Sequence, residues 1–262
     1  MENNRLLDIC ISTNGQCIQS LIRKLDEYIK HLPNSVFFLV VNQNDCDHIE
    51  YINERLIILN STTKGLSVSR NLAISYSESE WVWFQDDDIE LNIENVTKFL
   101  DEIALDRSDF YICQIGSLEN RKEKYKQYKK LNMEMFLNSL KVSSIEIIAK
   151  KNKINGIKFN EELGLGTSMP CCEENLFILN AMKNKLKISQ YNNVLCYHTC
   201  VDLFRMKKNK GHYIARGYLL SNLNVFLSFF VLVRWSIREI NKFGFFRALY
   251  FMIVGFKKGK LF

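Results

Sequence analysis

The sequence predicts an α/β fold built on a parallel sheet. Three observations carry that expectation. Short β-rich runs alternate with stretches of helical periodicity through the first 115 residues. One run, Val36–Val41, is apolar at every position, as a parallel strand buried on both faces should be. The 262 residues, 47% hydrophobic and 24% charged, suit one large globular domain or a domain with an appendage. That composition excludes collagen-like, disordered and small disulfide-scaffold chains.

The elements follow in order. Leu6–Thr13 reads as the first strand. Ile18, Leu21, Ile22, Leu25, Tyr28 and Ile29 recur at helical spacing. Val36–Val41 is the second strand and Leu56–Leu59 the third, before a helix from about Leu66 to Ser77. Trp81–Phe84 is the fourth strand. Ile93, Val96, Phe99, Leu100 and Ile103 form the next amphipathic helix, and Phe110–Ile115 the fifth strand. Right-handed crossovers put helices on both faces of such a sheet.

The second half is less regular. Residues 119–141 are polar and read as an exposed helix or a mobile segment. Ser144–Ala149 resembles a strand. A loop with Gly164, Gly166 and Pro170 opens a helix near Glu173, and Val194–His198 is one more strand.

Ligands of open α/β sheets bind beyond the carboxyl ends of the strands. Here those ends are Ser12-Thr13-Asn14, Asn42 to Asp45, Asn60-Ser61-Thr62 and Gln85 to Asp88, all polar. The first carries a single glycine, Gly15, in place of a Gly-x-Gly-x-x-Gly fingerprint, and no P-loop occurs. Dinucleotide and Walker-type ATP chemistry are disfavoured.

Three constellations could carry chemistry. Asp86, Asp87 and Asp88 follow a buried strand directly. Adjacent carboxylates repel, and a cation relieves the repulsion. Asp86 and Asp88, two apart, can converge on one Mg²⁺ or Mn²⁺ with Asp87 turned aside. The alternative is a solvated turn capping the next helix. Glu173 and Glu174 stand at a helix start, where acids offset the dipole or where one serves as a general base. His198 is either structural or a ligand. Cys196, His198 and Cys200 alternate on one strand face, so a zinc site with Cys171 and Cys172 is a further option, without a C-x-x-C pair to support it.

Taken together, these features resemble the family 2 glycosyltransferases of the GT-A fold over about residues 5–200. Lys64-Gly-Leu-Ser-Val-Ser-Arg-Asn71 is similar to the family's segment before its metal motif. Gln85-Asp-Asp-Asp88 is similar to the metal motif. Leu163-Gly-Leu-Gly166, followed by Cys172-Glu-Glu-Asn-Leu-Phe177, is similar to the loop and acidic pair that carries the base. The resemblance implies a Rossmann-like mixed, mainly parallel sheet flanked by helices.

It also implies an inverting transferase that moves a sugar from a nucleotide-diphosphate donor to a saccharide hydroxyl. Asp86 and Asp88 would hold Mn²⁺ or Mg²⁺, with His198 a further ligand or a phosphate contact. Glu174 would be the base, with Glu173 supporting it or touching the acceptor. Thr13, Asn14, Asp45, Lys64, Arg70, Asn71 and Asp87 would line the donor site. Gly164, Gly166 and Cys172 would line the acceptor site. Two departures stand out. Asn42-Gln43-Asn44-Asp45 occupies the place of an acidic pair, and Glu174 replaces the family's Asp.

The net charge of +6 is unevenly distributed. Residues 1–204 are net −5, and residues 205–262 carry twelve basic side chains against Glu239 alone. We expect a catalytic domain over 1–204, with a donor half over 1–115 and an acceptor and base half over 116–204. Residues 205–262 would be a basic tail of amphipathic helices. Its apolar stretches, Leu219–Val233 and Phe245–Phe256, are flanked by Arg and Lys, which suits an anionic membrane surface or packing on the domain. Nucleic acid is disfavoured because the bases are dispersed among aliphatic residues.

No signal peptide is visible and no apolar run reaches the 18 residues that suggest a span. The expected location is cytoplasmic, peripheral on the inner face of the membrane. There the eight cysteines stay reduced, and Cys10, Cys17, Cys46 and Cys113 act as small buried hydrophobes. By the same resemblance, the acceptor would be lipid-linked and the pathway bacterial surface-polysaccharide assembly. The competing readings are a non-catalytic GT-A-like sugar-nucleotide-binding or membrane scaffold protein, and a metal-dependent nucleotidyltransferase.

Overall fold

The computed structural model describes residues 5–260 apart from 17, 44–48, 50, 52, 104–105, 125, 127–139 and 200–207. Most of 119–141, expected as an exposed helix or mobile segment, therefore lies outside the described residues, as do Cys17, Cys46 and the boundary expected at 204/205.

Eight strands form one sheet: β1 (Leu7–Thr13), β2 (Val36–Asn42), β3 (Leu56–Asn60), β4 (Trp81–Asp86), β5 (Glu90–Leu91), β6 (Phe110–Ser117), β7 (Ile147–Lys150) and β8 (Ile188–His198). Their spatial order is β3-β2-β1-β4-β7-β6-β8-β5. The β3-β2-β1-β4 half is parallel. β7 enters antiparallel between β4 and β6, β8 runs parallel to β6, and β5 pairs antiparallel with β8. The sheet is thus mixed and mainly parallel.

Four helices cover the sheet. Both faces are buried, so alternate residues of one strand enter different cores. Leu7, Ile9 and Ile11 of β1 pack with α1 (Ile18–His31) and α3 (Ile93–Ile103), through Leu21, Leu25, Phe99 and Leu100. Cys10, Leu39, Val41 and Phe84 face the other way, against α2 (Leu66–Tyr76) and α4 (Glu173–Lys183), through Ala73, Phe177 and Ile178. Cys10 and Cys113 are buried free thiols, as expected.

Three elements differ from the sequence expectation. Ser144–Glu146 is a 3₁₀ turn, closed by a capping box between Ser143 and Glu146, and only Ile147–Lys150 is strand. β5 is an additional two-residue strand. The tail forms three helices: α5 (Lys210–Ser221), which mostly precedes the first apolar stretch, α6 (Val225–Arg238) and α7 (Phe245–Lys260). The break falls at 222–224 because Asn222 closes α5 and the Asn224 side chain accepts from the Phe226 amide at 2.9 Å, starting α6.

The tail helices pack on the rest of the chain through a third core. Leu163, Met169, Cys172 and Leu176 meet Tyr213, Leu219, Leu232 and Met252 there. α5 and α7 cross at backbone contact. A Cβ on Gly217 would lie 1.9 Å from the Met252 carbonyl oxygen, and one on Gly255 equally close to that of Ile214. Neither carbonyl can yield without breaking its helix. Gly217→Val is therefore expected to cost about 3 kcal/mol or more of stability, read as a lower midpoint in urea unfolding. A midpoint equal to that of the parent chain would show that the helices can separate freely.

Candidate active site

The carboxyl ends of β1, β2 and β4 open into a cavity of about 720 Å³. Thr13, Asn14, Lys64, Asp86, Asp87, Asp88, Gly166 and His198 all line it. The topology explains the gathering. Ser12 of β1 pairs with Asp86 of β4, so the first strand end and the acidic motif are neighbours. β5 then pairs Glu90 with Tyr197, one residue before His198. This two-residue strand turns the chain after Asp88 onto β8, and His198 Nε2 lies 3.2 Å from Asp88 Oδ1.

Within this cavity, Asp86, Asp88 and His198 bring their ligand atoms within 4.8 Å of one another, close enough to hold one cation between them. The electrostatics fit a cation. Burial pushes the Asp86 carboxyl up, and Asp88 adds to it, against the pull of Arg70. Burial resists charge on His198, but the hydrogen bond and charge of Asp88 outweigh it and lift the imidazole to about 9. His198 Nδ1 lies 2.8 Å from the Thr199 carbonyl, which fixes the proton on that nitrogen and leaves Nε2 facing Asp88. A cation at that point would satisfy both acids and take the place of the imidazolium proton. No cluster of three Cys or His side chains occurs among the described residues, and Cys200 of the zinc alternative lies outside them.

Other expected residues are placed as follows. Thr13 Oγ1 donates to Asp87 Oδ2 at 2.6 Å, which holds Asp87 aside from Asp86 and Asp88. Arg70 does not line the cavity. It is buried beneath it, where it donates to Glu173 Oε1 (3.1 Å), Asp86 Oδ1 (3.4 Å) and Ser144 Oγ (2.6 Å). Asn71 points away, and its side chain pairs with both backbone groups of Phe159. Asp45 is outside the described residues.

The loop 163–172 closes one wall. Leu66 N donates to the Leu165 carbonyl at 3.0 Å and Ser67 Oγ to that of Leu163 at 2.7 Å, pinning the loop to the start of α2. Gly166 sits so near Gly65 that a Cβ there would come 3.2 Å from its Cα. This seats Gly166 on the β-strand cavity rather than beside Glu174. Gly164 instead lies under Glu173, 3.2 Å from its carboxyl carbon by the same measure.

Cys172, immediately before α4, is left-handed with φ 77°, an unusual state for a non-glycine residue. Glu173 and Glu174, adjacent in the first turn of α4, leave the helix about 100° apart. Glu173 is buried against Arg70. Glu174, which has no ion pair among the described residues, lines a second cavity of about 390 Å³ together with Cys172. Burial, reinforced by the neighbouring Glu173, pushes the Glu174 carboxyl well above the usual range. Asp86, Arg70 and Glu173 form a continuous chain of contacts from the first cavity to the start of α4.

Sequence reasoning gave no role to Ser12 and Gln43 and missed the walls contributed by Leu66 and Leu165. Ser12 and Gln43 were legible as strand ends. Leu66 and Leu165 carry no chemical signature and enter only through the backbone bond between them.

The model of the family described as glycosyl transferase family 2 matches residues 15–172. No curated protein matches the chain. Among solved structures, S. aureus TarS residues 1–349 is similar at 19% identity, over 90% of this chain and 72% of that one, with a TM-score of 0.62. The same TarS segment in complex with UDP gives the same values. Its complex with UDP-GlcNAc matches at 18% identity over 90% and 72% of the two chains, with a TM-score of 0.61.

Proposed function

The chain belongs to glycosyl transferase family 2, and from that premise we propose that it is an inverting, metal-dependent glycosyltransferase acting on a nucleotide-diphosphate sugar. The observation that carries the reading is the Asp86–Asp88–His198 cluster at the mouth of the parallel strands. The UDP and UDP-GlcNAc complexes of the structurally similar TarS support a uridine-nucleotide donor.

In this reading Asp86, Asp88 and His198 hold Mn²⁺ or Mg²⁺. The metal, when bound, supplies Lewis-acid stabilisation of the departing diphosphate. Thr13, Asn14, Lys64 and Asp87 contact the donor. Glu174 takes the proton from an acceptor hydroxyl as its oxygen attacks the anomeric carbon from the face opposite the leaving group. Glu174 suits this role because it forms no ion pair among the described residues and lines the second cavity. Glu173 is engaged by Arg70 and positions its neighbour. Gly164, Gly166 and Cys172 shape the loop between donor and acceptor.

The test is release of nucleoside diphosphate from UDP-sugars with saccharide acceptors and Mn²⁺. Release that requires donor, acceptor and metal together is expected. Absence of turnover across donors and acceptors would overturn the reading.

We further propose that residues 1–204 carry the chemistry and that 205–262 rest on an anionic membrane, bringing the site to a lipid-linked acceptor of surface-polysaccharide assembly. No helix among the described residues is long and apolar enough to cross a membrane. α6 and α7 nevertheless expose a run of large apolar side chains, with Phe226 88% and Phe246 82% exposed, and Phe229, Phe230 and Tyr250 beside them. Lys257, Lys258 and Lys260 add charge at the end of α7. Exposed apolar area rimmed by cations is the pattern of an interfacial helix.

Inserting one Phe gains about 2 kcal/mol. Phe226→Ser with Phe230→Ser should therefore weaken co-sedimentation with phosphatidylglycerol vesicles by about 10²-fold or more. Undiminished sedimentation, or none by the parent chain, would defeat the membrane role.

A further inference from the structure

The cavity beside Glu174 has a chemistry of its own. Its walls come from α4, α5, α6 and the segment before the 3₁₀ turn, and they present Lys141, Arg216, Arg234 and Arg238 with Trp235. Arg234 and Arg238 are one helical turn apart on α6, are exposed, and form no ion pair among the described residues. Arg216 faces them from α5, its guanidinium 5.3 Å from the Trp235 ring centroid.

The one acid of the tail does not cancel this charge. Glu239 is already shared by Lys208 at 2.8 Å, Arg216 at 3.4 Å and the Tyr213 hydroxyl at 3.0 Å. Lys208 and Lys242 extend the same basic wall next door. Guanidinium forks on two helices, converging on one concavity, match the oxygens of a phosphate or diphosphate better than a single carboxylate. Trp235 offers a flat apolar face at the same place.

We infer that this cavity binds a phosphate or diphosphate group carried by the acceptor, held by Arg216, Arg234 and Arg238 with its sugar presented to Glu174. The inference rests on the transferase reading for the role of Glu174, but the anion site stands on its own residues. The volume of about 390 Å³ suits a diphosphate with one sugar ring.

The α6 ridge favours a lipid-borne group. Phe226, Phe230, Arg234 and Arg238 follow one another at four-residue spacing, so an apolar strip leads into the charged one. A prenyl chain along the phenylalanines would deliver its head group to the arginines. A soluble phosphorylated saccharide would use the arginines alone.

The chain carries its own reporter. Trp81 and Trp83 are fully buried in the sheet, and Trp235 is the third of its three tryptophans. Full-length protein, free of divalent metal and donor, is titrated with inorganic pyrophosphate and with geranyl diphosphate while tryptophan emission is followed. A saturable change is expected with both, weakened at least tenfold in the Arg234→Gln/Arg238→Gln double variant. Both side chains are exposed, so the thermal midpoint should not move.

Tighter binding of geranyl diphosphate than pyrophosphate assigns the group to a lipid, and equal binding assigns it to a soluble phosphorylated saccharide. No emission change with either probe, or an unaltered affinity in the double variant, overturns the site. Because no donor or turnover is involved, failure of the transferase reading would show in the nucleotide-release assay and not here.

Discussion

Asp88→Ala is expected to lower sugar transfer at least about 10³-fold, equivalent to about 4 kcal/mol of lost transition-state stabilisation, and to remove high-affinity Mn²⁺ binding with it. Asp88 is the most exposed of the three ligand residues, and its carboxylate is the one that touches His198. Its loss leaves Asp86 held by Arg70 and removes the carboxylate bonded to His198 Nε2. Two donors that far from a complete set hold a hard divalent cation poorly. The paired measurements are Mn²⁺ binding by electron paramagnetic resonance and nucleoside diphosphate release. The Asp87→Ala variant is the internal comparison, since Asp87 is held aside by Thr13. It should keep its Mn²⁺ affinity. Full transfer by the Asp88→Ala variant would remove the cluster from the reaction, and retained Mn²⁺ binding without transfer would move the metal elsewhere.

The local parts of this site were legible in the sequence because they depend on neighbours in the chain. Asp86 and Asp88 follow a strand whose apolar run is unmistakable. Glu173 and Glu174 follow a glycine-bearing loop. The apolar alternation of β1 and β2 is visible without any pairing information. What was not legible depends on residues far apart. β5 has two residues, too few for periodicity, yet it brings Asp88 to His198. Arg70 reads as a donor-site residue from its motif, and its burial between Glu173 and Asp86 comes from elements far apart in the chain. Asn71 looks like a site residue until its bonds to Phe159 are seen. The arginine cavity has no motif at all. Arg216 and Arg234 lie on different helices, and the break at Asn222–Asn224 that folds those helices together looked like mere interruption of an apolar stretch.

Glu174→Gln is expected to reduce transfer about 10²- to 10⁴-fold, the range for losing a positioned general base, while donor and Mn²⁺ binding stay as they were. Glutamine keeps the size and the hydrogen-bonding oxygen but cannot take the acceptor's proton. The pH profile separates this from a structural effect. Catalysis needs Glu174 deprotonated, and burial with Glu173 raises its pKa well above the ordinary carboxylate value. Activity of the parent chain should therefore fall as pH drops through that raised value, with an acid limb nearer neutrality than a free glutamate would give. The residual activity of Glu174→Gln should lack that limb. Glu174→Asp, one methylene shorter, should restore part of the rate and shift the limb, because the carboxyl then sits at a different depth. A Glu174→Gln variant within threefold of the parent rate, with its acid limb unchanged, would transfer the role of base to Glu173. The equivalent Glu173→Gln change would then have to carry the loss. Glu173 is instead held against Arg70 at 3.1 Å, which leaves Glu174 as the carboxylate that lines the second cavity.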